Sequence, residues 1–534
     1  LRRLPARGFP LLAAAAATLL LFRLGGHPLL DPDEARFART SVEMMRAGEL
    51  VVPTFEGAPR LVKPPLLHWM QIWLFQWWGP TEFAARLPAA ASTFVSFLLV
   101  GWIARRRLGE RGAFWAAAMF LAMPLVFVMG RAGSLDALLS VHVLAAIALD
   151  MAAPARAGAY RAAAIGALVG LAFLAKGPVA IVLVALVLLA GRTAAGMEVV
   201  PTLRATAGAV AGFAGVVFPW ALAFAERIGP GATADLLWRE TAERYFGSAP
   251  HAEPPWYFAK IATVAFAPWV GPIALGTVRA LFGGEEQDRR TARYAAAGLI
   301  AGLLFFSIGR GKLPNYILPL APLGALVAAW ELEQELAEPR RRRLGYGLVA
   351  AWLVAVAVAV GVLGPKLGGH QLAPLATASS LVLGAGAAAA LAGVGLERPR
   401  FVYGSAAASM GAFYLLAVAG AGPTLAATLS SEPVVREVPE LSSPRPIVVT
   451  RSLPSLTFYL DRIPERVPVG GLSARLDRDD DALYVLSDKD RGRLPRAVAS
   501  RLRVVGRAGK YTVFEEVDPA RAAQEGALSP LVPR

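Results

Sequence analysis

Cysteine is absent from all 534 residues, which excludes disulfides, thiolate metal sites and a thiol nucleophile but identifies no compartment. Histidine is scarce. Its five positions (27, 68, 142, 251 and 370) are scattered and no pair has zinc-binding spacing, so a histidine-built metal site is not expected. No serine–histidine–acid set is evident. Charge is thin, at 17% against 56% hydrophobic residues, and mean hydropathy is +0.50. Soluble domains are rarely so apolar, and long uncharged runs mark membrane helices. The net charge is +15, yet it is split among short loops and forms no single face, so nucleic acid is not an expected partner.

What is present is a series of apolar runs near 9–24, 86–104, 112–130, 135–152, 162–176, 178–191, 205–225, 257–281, 294–308, 315–330, 344–364, 373–395 and 401–422, about thirteen spans by the length a bilayer requires. The first is read as a retained helix, since no small-residue cleavage site follows it before the charged loop. Basic clusters orient the series. Arg2, Arg3 and Arg7 place the N-terminus inside. Arg105 to Arg111, Arg156 and Arg161, Arg192 and Arg204, Arg289 to Arg293, Arg340 to Arg343, and Arg398 and Arg400 each follow an even-numbered span. Such clusters stay cytoplasmic. The remaining loops then face outward: 25–85, 131–134, Lys176-Gly-Pro178, 226–256 and Gly309 to Tyr316.

After residue 422 the composition changes. Pro433, Pro439, Pro444 and Pro446 punctuate a linker, and short β-rich runs follow at Ile447–Thr450, Ala482–Leu486, Arg501–Val505 and Tyr511–Phe514. The expected architecture is a polytopic α-helical membrane protein over 1–422 with a first outer loop near 25–85, then an extracytoplasmic α/β domain over 423–530. Residues 531–534 read as the remnant of an engineered protease site.

The outer loops hold the distinctive polar residues. In Asp31-Pro-Asp-Glu-Ala-Arg-Phe-Ala38, Asp31 can cap a helix that begins at Pro32, with Glu34 as its capping-box partner. Asp33 is then without a structural task, and Arg36 lies one turn away on the same face. Lys63 in Leu61-Val-Lys-Pro-Pro-Leu66 sits on extended backbone, because proline disfavours helix at the preceding residue. It either snorkels to headgroups or offers a point charge to phosphate. Trp69, Trp73, Phe75, Trp77 and Trp78 fit an interfacial belt. Asp136 opens the fourth span, as a helix cap or a functional carboxylate. Lys176 lies in an apolar hairpin and needs an anion nearby. Arg244 belongs to the loop 226–256, while Lys312 and Tyr316 flank Pro314 at a further outer turn. All of these map to one membrane face, as a site requires.

In this order the Asp-Glu-x-Arg-Phe-Ala segment, Lys-Pro-Pro-Leu, the Leu-Asp at 135–136, the Lys-Gly-Pro hairpin and Lys-Leu-Pro-x-Tyr resemble the polyprenyl-phosphate-sugar-dependent glycosyltransferases of the C superfamily, in the branch of the lipid A aminoarabinose transferases and protein mannosyltransferases. The likeness covers roughly 25–330. It implies that Asp33 and Asp136 are the catalytic acidic positions, that Lys63, Arg244, Arg36 and Tyr316 hold the donor phosphate, and that Glu34, Lys176 and Lys312 line the site. It also implies an undecaprenyl-phosphate-linked sugar donor, an envelope acceptor such as lipid A, contact with membrane lipids, and a bacterial inner-membrane location with the site facing the periplasm. A divalent metal stays open as a cofactor. Two other readings stand beside it: a protein O-mannosyltransferase-like enzyme, and a transporter or flippase of lipid-linked sugars. Against the transporter, no inverted repeat or pair of broken helices is seen.

Overall fold

The computed structural model describes residues 8–152, 158–233, 251–283, 289–478 and 480–517, apart from the side chains of 367–371. Arg244 and the C-terminal 531–534 lie outside the described residues. The first apolar helix, α1 (Gly8–Leu21), leads into a long first loop with two helices, α2 (Asp33–Ala47) and α3 (Leu66–Trp78). α4 (Glu82–Ala122) starts where the Thr81 hydroxyl accepts the Ala84 N–H at 3.3 Å, a side-chain cap for an otherwise orphaned donor. It breaks at Gly109, whose φ of 68° only glycine adopts freely. That break follows the basic run Arg105–Arg107 and falls between the two spans expected at 86–104 and 112–130.

α5 (Pro124–Met129) and α6 (Asp136–Met151) follow. α7 (Ala159–Lys176) and α8 (Val179–Ala194) are joined by Gly177 and Pro178, and α9 (Leu203–Ile228) packs along α7. There a Cβ at Gly166 would collide with the Ala209 carbonyl, and one at Gly212 with the Ala163 carbonyl. Backbones approach this closely only where side chains are missing, as small residues allow in lipid.

Residues 257–281 differ from the single straight span expected. Tyr257–Ala265 and Val270–Phe282 meet at 117°, with Pro268 in the break, where it cannot donate to a helical ladder. The helix Arg343–Gly395 folds back on itself, the Ser380 hydroxyl donating to the Ala357 carbonyl at 2.9 Å. Pro314–Ala337 is the central element, 89% of its apolar window being buried by other helices, against 11% for α9 at the rim. Among the described residues eight helices are long and apolar enough to cross a membrane, nine if the bent pair is one span; Gly8–Leu21 and Val179–Ala194 are apolar but shorter.

The tail carries a five-stranded mixed sheet. With a small hairpin of β1 (Thr54–Phe55) and β2 (Ala58–Pro59) in the first loop, the sheet strands are β3 (Ile447–Val449), β4 (Glu465–Arg466), β5 (Leu483–Ser487), β6 (Leu502–Ala508) and β7 (Tyr511–Glu516), in the order β4-β3-β5-β7-β6. β3 runs parallel to β4 and β5; β7 runs antiparallel to β5 and β6. β5 is buried along its whole length, as a central strand covered on both faces is.

The sheet's helix Pro454–Leu460 lies along α2. This contact overturns the expected cap at Asp31. α2 has no side-chain cap. The Asp31 carboxylate instead accepts the Ser455 N–H at 2.8 Å and its hydroxyl at 2.6 Å.

Candidate functional site

α2 presents Asp33 outward at its first turn, the side chain 62% exposed, with the Arg36 guanidinium 3.2 Å away. So exposed a pair adds little stability, and the Asp33 carboxylate stays open to an incoming group. Glu34, expected to line the site, is turned inward. Its two oxygens accept from Arg86 Nε and Nη2, each at 2.7 Å, and from the Leu30 and Gly133 N–H groups, each at 2.9 Å. Burial alone would raise this carboxyl; the Arg86 guanidinium and the two N–H donors hold it below the usual carboxylate range. Arg86 is fully buried and also donates to the carbonyls of Leu24, His27 and Pro28. The start of α2, the start of α4 and the 130–135 turn thus close around one carboxylate.

Three residues after Gly133 comes Asp136, 4% exposed at the head of α6. The end of α7 brings Lys176 Nζ onto Asp136 Oδ1 as an ion pair, and the turn at 314–316 brings Asn315 Nδ2 to Oδ2 at 2.8 Å. The Lys176 ammonium also stands over the Tyr316 ring, 4.7 Å from its centre. Lys176 therefore has the anion an apolar hairpin demands. It faces a cavity shared with Lys63, walled by Leu61, Val62, Pro64, Phe173, Trp220 and Phe224. The lining of this cavity thus combines two cationic side chains with aliphatic and aromatic ones. The Trp220 indole N–H donates to the Val51 carbonyl at 3.0 Å and fastens α9 to the first loop.

Lys312 points elsewhere. It is 3% exposed and donates from Nζ to the Glu253 carbonyl at 2.7 Å, pinning its turn to residues 251–253. The structure thus joins Asp136, Lys176 and Tyr316, sets Lys63 and Lys176 on one cavity, pairs Asp33 with Arg36, and sends Glu34 and Lys312 to other partners.

Two residues went unread in the sequence. Arg86 carried a signal, a lone charge within the first turns of an apolar span, which is expensive unless paired. Asn315 carried none beyond its place beside Tyr316. A third cluster looks catalytic and is not: the Ser41 hydroxyl meets His68 Nδ1 at 2.8 Å, but it donates to Gln71 Oε1 at 2.7 Å, and no acid among the described residues bonds the other imidazole nitrogen, Nε2. Burial, with Arg60 adding to it, lowers the His68 imidazole to about 3, so it is neutral and ties α2 to α3.

No group of three or more histidine and carboxylate side chains that could hold a metal exists among the described residues. Both Asp136 oxygens are already engaged by Lys176 and Asn315. This donor set does not suit a divalent ion.

Residues 62–220 match the family model described as dolichyl-phosphate-mannose-protein mannosyltransferase. The chain is 32% identical over 348 residues to the undecaprenyl phosphate-α-4-amino-4-deoxy-L-arabinose arabinosyl transferase of Yersinia enterocolitica, an alignment covering 62% of this chain and 60% of that protein. To the protein of the same name in Aeromonas salmonicida it is also 32% identical, with 62% and 61% covered. The chain spans about three fifths of the length of these curated relatives. In three dimensions it is similar to ArnT from Cupriavidus metallidurans bound to undecaprenyl phosphate, with a TM-score of 0.75, 22% identity, and 96% of this chain and 98% of that one covered. The fold is therefore similar to that of ArnT from Cupriavidus metallidurans over nearly the whole chain, and the sequence likeness is to proteins named undecaprenyl phosphate-α-4-amino-4-deoxy-L-arabinose arabinosyl transferase.

Proposed function

We propose that this relative of the polyprenyl-phosphate-sugar-dependent glycosyltransferases transfers a sugar from an undecaprenyl phosphate donor to an envelope acceptor. In this reading the sugar is 4-amino-4-deoxy-L-arabinose, the acceptor is lipid A, and thirteen spans hold the site and the α/β domain on the periplasmic face of the inner membrane. The observation that carries it is the cavity lined by Lys63 and Lys176 together with aliphatic and aromatic side chains, a chemistry that suits a phosphate joined to a prenyl chain.

An acceptor oxygen attacks the anomeric carbon, the bond from that carbon to the lipid phosphate breaks, and undecaprenyl phosphate leaves, inverting the centre. Negative charge grows on the departing phosphate, and Lys63 and Lys176 stand ready to stabilise it, with Arg36, Arg244 and Tyr316 as further donors. Asp136, fixed between Lys176 and Asn315, holds the ammonium in place. Asp33, exposed at the head of α2, takes the proton of a hydroxyl acceptor. A phosphate acceptor is already ionised, and Asp33 then orients it.

The test is transfer by the full-length protein in lipid nanodiscs, with the aminoarabinosyl donor and lipid A, read by mass spectrometry. A pentosylamine adduct made by wild type and lost in Asp33→Asn supports the reading. Movement of the donor across proteoliposomes with no new glycosidic bond overturns it in favour of a transporter. Because the matched family model is described by protein mannosylation, a protein acceptor is the second reading, and a glycosylated peptide with unmodified lipid A would establish it.

A further inference from the structure

The head of α2 is held by the tail of the chain. Asp31 lies two residues before Asp33. Its carboxylate takes both the N–H and the hydroxyl of Ser455, and its own N–H donates to the Leu429 carbonyl at 2.8 Å. Ser455 is fully buried, and its hydroxyl oxygen accepts the Ser431 N–H at 2.8 Å. Just upstream, the Leu29 N–H donates to the Tyr459 hydroxyl at 2.7 Å. Farther along α2, about two and four turns from its start, Arg39 donates to Asp461 at 2.6 Å, and Arg46 joins the same carboxylate. Arg39 is buried and keeps Glu43 as its second partner, at 2.8 Å. Phe458 packs against the apolar face formed by Leu29, Ala35, Ala38 and Val42. The other side of α2 is fastened to α3 and α4 through Ser41 and Glu34.

These contacts surround the Asp33 backbone, while the Asp33 side chain itself is free of them. A surface helix needs one apolar face for anchorage. Here polar ties flank the first turn, at Leu29 and Asp31 before it and at Arg39 and Arg46 after it, and come from a domain more than 400 residues away in the chain. We infer that Asp31 and Ser455, seconded by Arg39 and Asp461, are positioning residues through which the α/β domain sets the placement of Asp33. The inference rests on the proposed role of Asp33 in transfer.

The experiment measures kcat and donor KM of the full-length protein for Asp31→Asn, Ser455→Ala, Ser455→Thr, Asp461→Asn and Asp33→Asn, each checked for a monodisperse, folded state. A reacting group displaced by a fraction of an ångström to one ångström loses about ten- to a hundred-fold in rate. Asp31→Asn and Ser455→Ala are therefore expected to lower kcat by that factor and leave donor KM within about two-fold. The double variant loses no more than the worse single one, because both break one interaction. Ser455→Thr, which keeps the N–H and the hydroxyl, restores most of the rate. If Ser455→Ala does not fold, Asp461→Asn reads the same coupling from an exposed position. Wild-type kcat in Asp31→Asn, Ser455→Ala and Asp461→Asn, with Asp33→Asn inactive, overturns the inference and leaves the proposed function standing. A change confined to acceptor KM overturns it too, since the domain would then select the acceptor. An active Asp33→Asn refutes the role of Asp33 itself.

Discussion

Removing the Glu34 carboxylate tests the central buried ion pair. In Glu34→Ala, the fully buried Arg86 guanidinium loses both of its charge-assisted bonds, at 2.7 Å each, and the Leu30 and Gly133 N–H groups lose their acceptor. Three backbone carbonyls still accept from Arg86, but they carry no net charge to balance it. Breaking one side of such a pair costs about 3–5 kcal/mol, or roughly a hundred- to several-thousand-fold in the folding equilibrium. Arg86→Ala strands the carboxylate instead and is expected to cost a similar amount. Both singles and the double variant go through equilibrium unfolding by denaturant in detergent micelles, followed by tryptophan fluorescence. The double variant is expected to fall well short of the sum, with a coupling of about 1–3 kcal/mol. Losses below about 1 kcal/mol, or strict additivity, would refute the claim that this pair locks the first loop to α4 and the 130–135 turn.

Other outcomes follow from the same geometry. Asp136→Asn leaves Lys176 beside an apolar cavity with no counter-charge; donor affinity and rate are expected to fall together by at least about ten-fold, and an unchanged kcat/KM would exclude Asp136 as the holder of Lys176. Gly212→Val drives a side chain into the Ala163 carbonyl and is expected to cost about 1–3 kcal/mol by overpacking, seen as a lower Tm in detergent, whereas Gly215→Ala, with open space around its Cβ position, is expected to be nearly silent. His68 supplies the pH dependence. Unfolded, its imidazole titrates near 6.5; folded, it resists protonation down to about 3. Its contribution is therefore complete above pH 6.5 and falls by up to about 1.4 kcal/mol per pH unit as the pH drops from 6.5 towards 3. His68→Gln should flatten that slope, and an equally steep slope in the variant would refute the assignment.

The amino-acid sequence alone determined the class of this protein. Hydropathy is a local property, so apolar runs, basic flanks and the β-rich runs at Ile447, Ala482, Arg501 and Tyr511 are all visible in short windows. The turn chemistry of Lys176-Gly-Pro178, the acidic start of α2 and the aromatic stripe of α3 were legible for the same reason, and the ordered motifs pointed to a family. Partners were not legible, because they are separated along the chain. Asp136 meets Lys176 across 40 residues and Asn315 across 179. Glu34 meets Arg86 across 52, and Asp31 meets Ser455 across 424. Local logic read Asp31 and Glu34 as a helix cap, an inexpensive way to satisfy an exposed helix end. Tertiary packing supplied stronger partners: a buried guanidinium for Glu34, which no exposed cap competes with once both groups leave water, and the backbone and hydroxyl of Ser455 for Asp31. The bend at residues 265–270 was hidden because hydropathy is blind to direction. Sequence set which residues must avoid water; only the folded chain decided which charge would answer which.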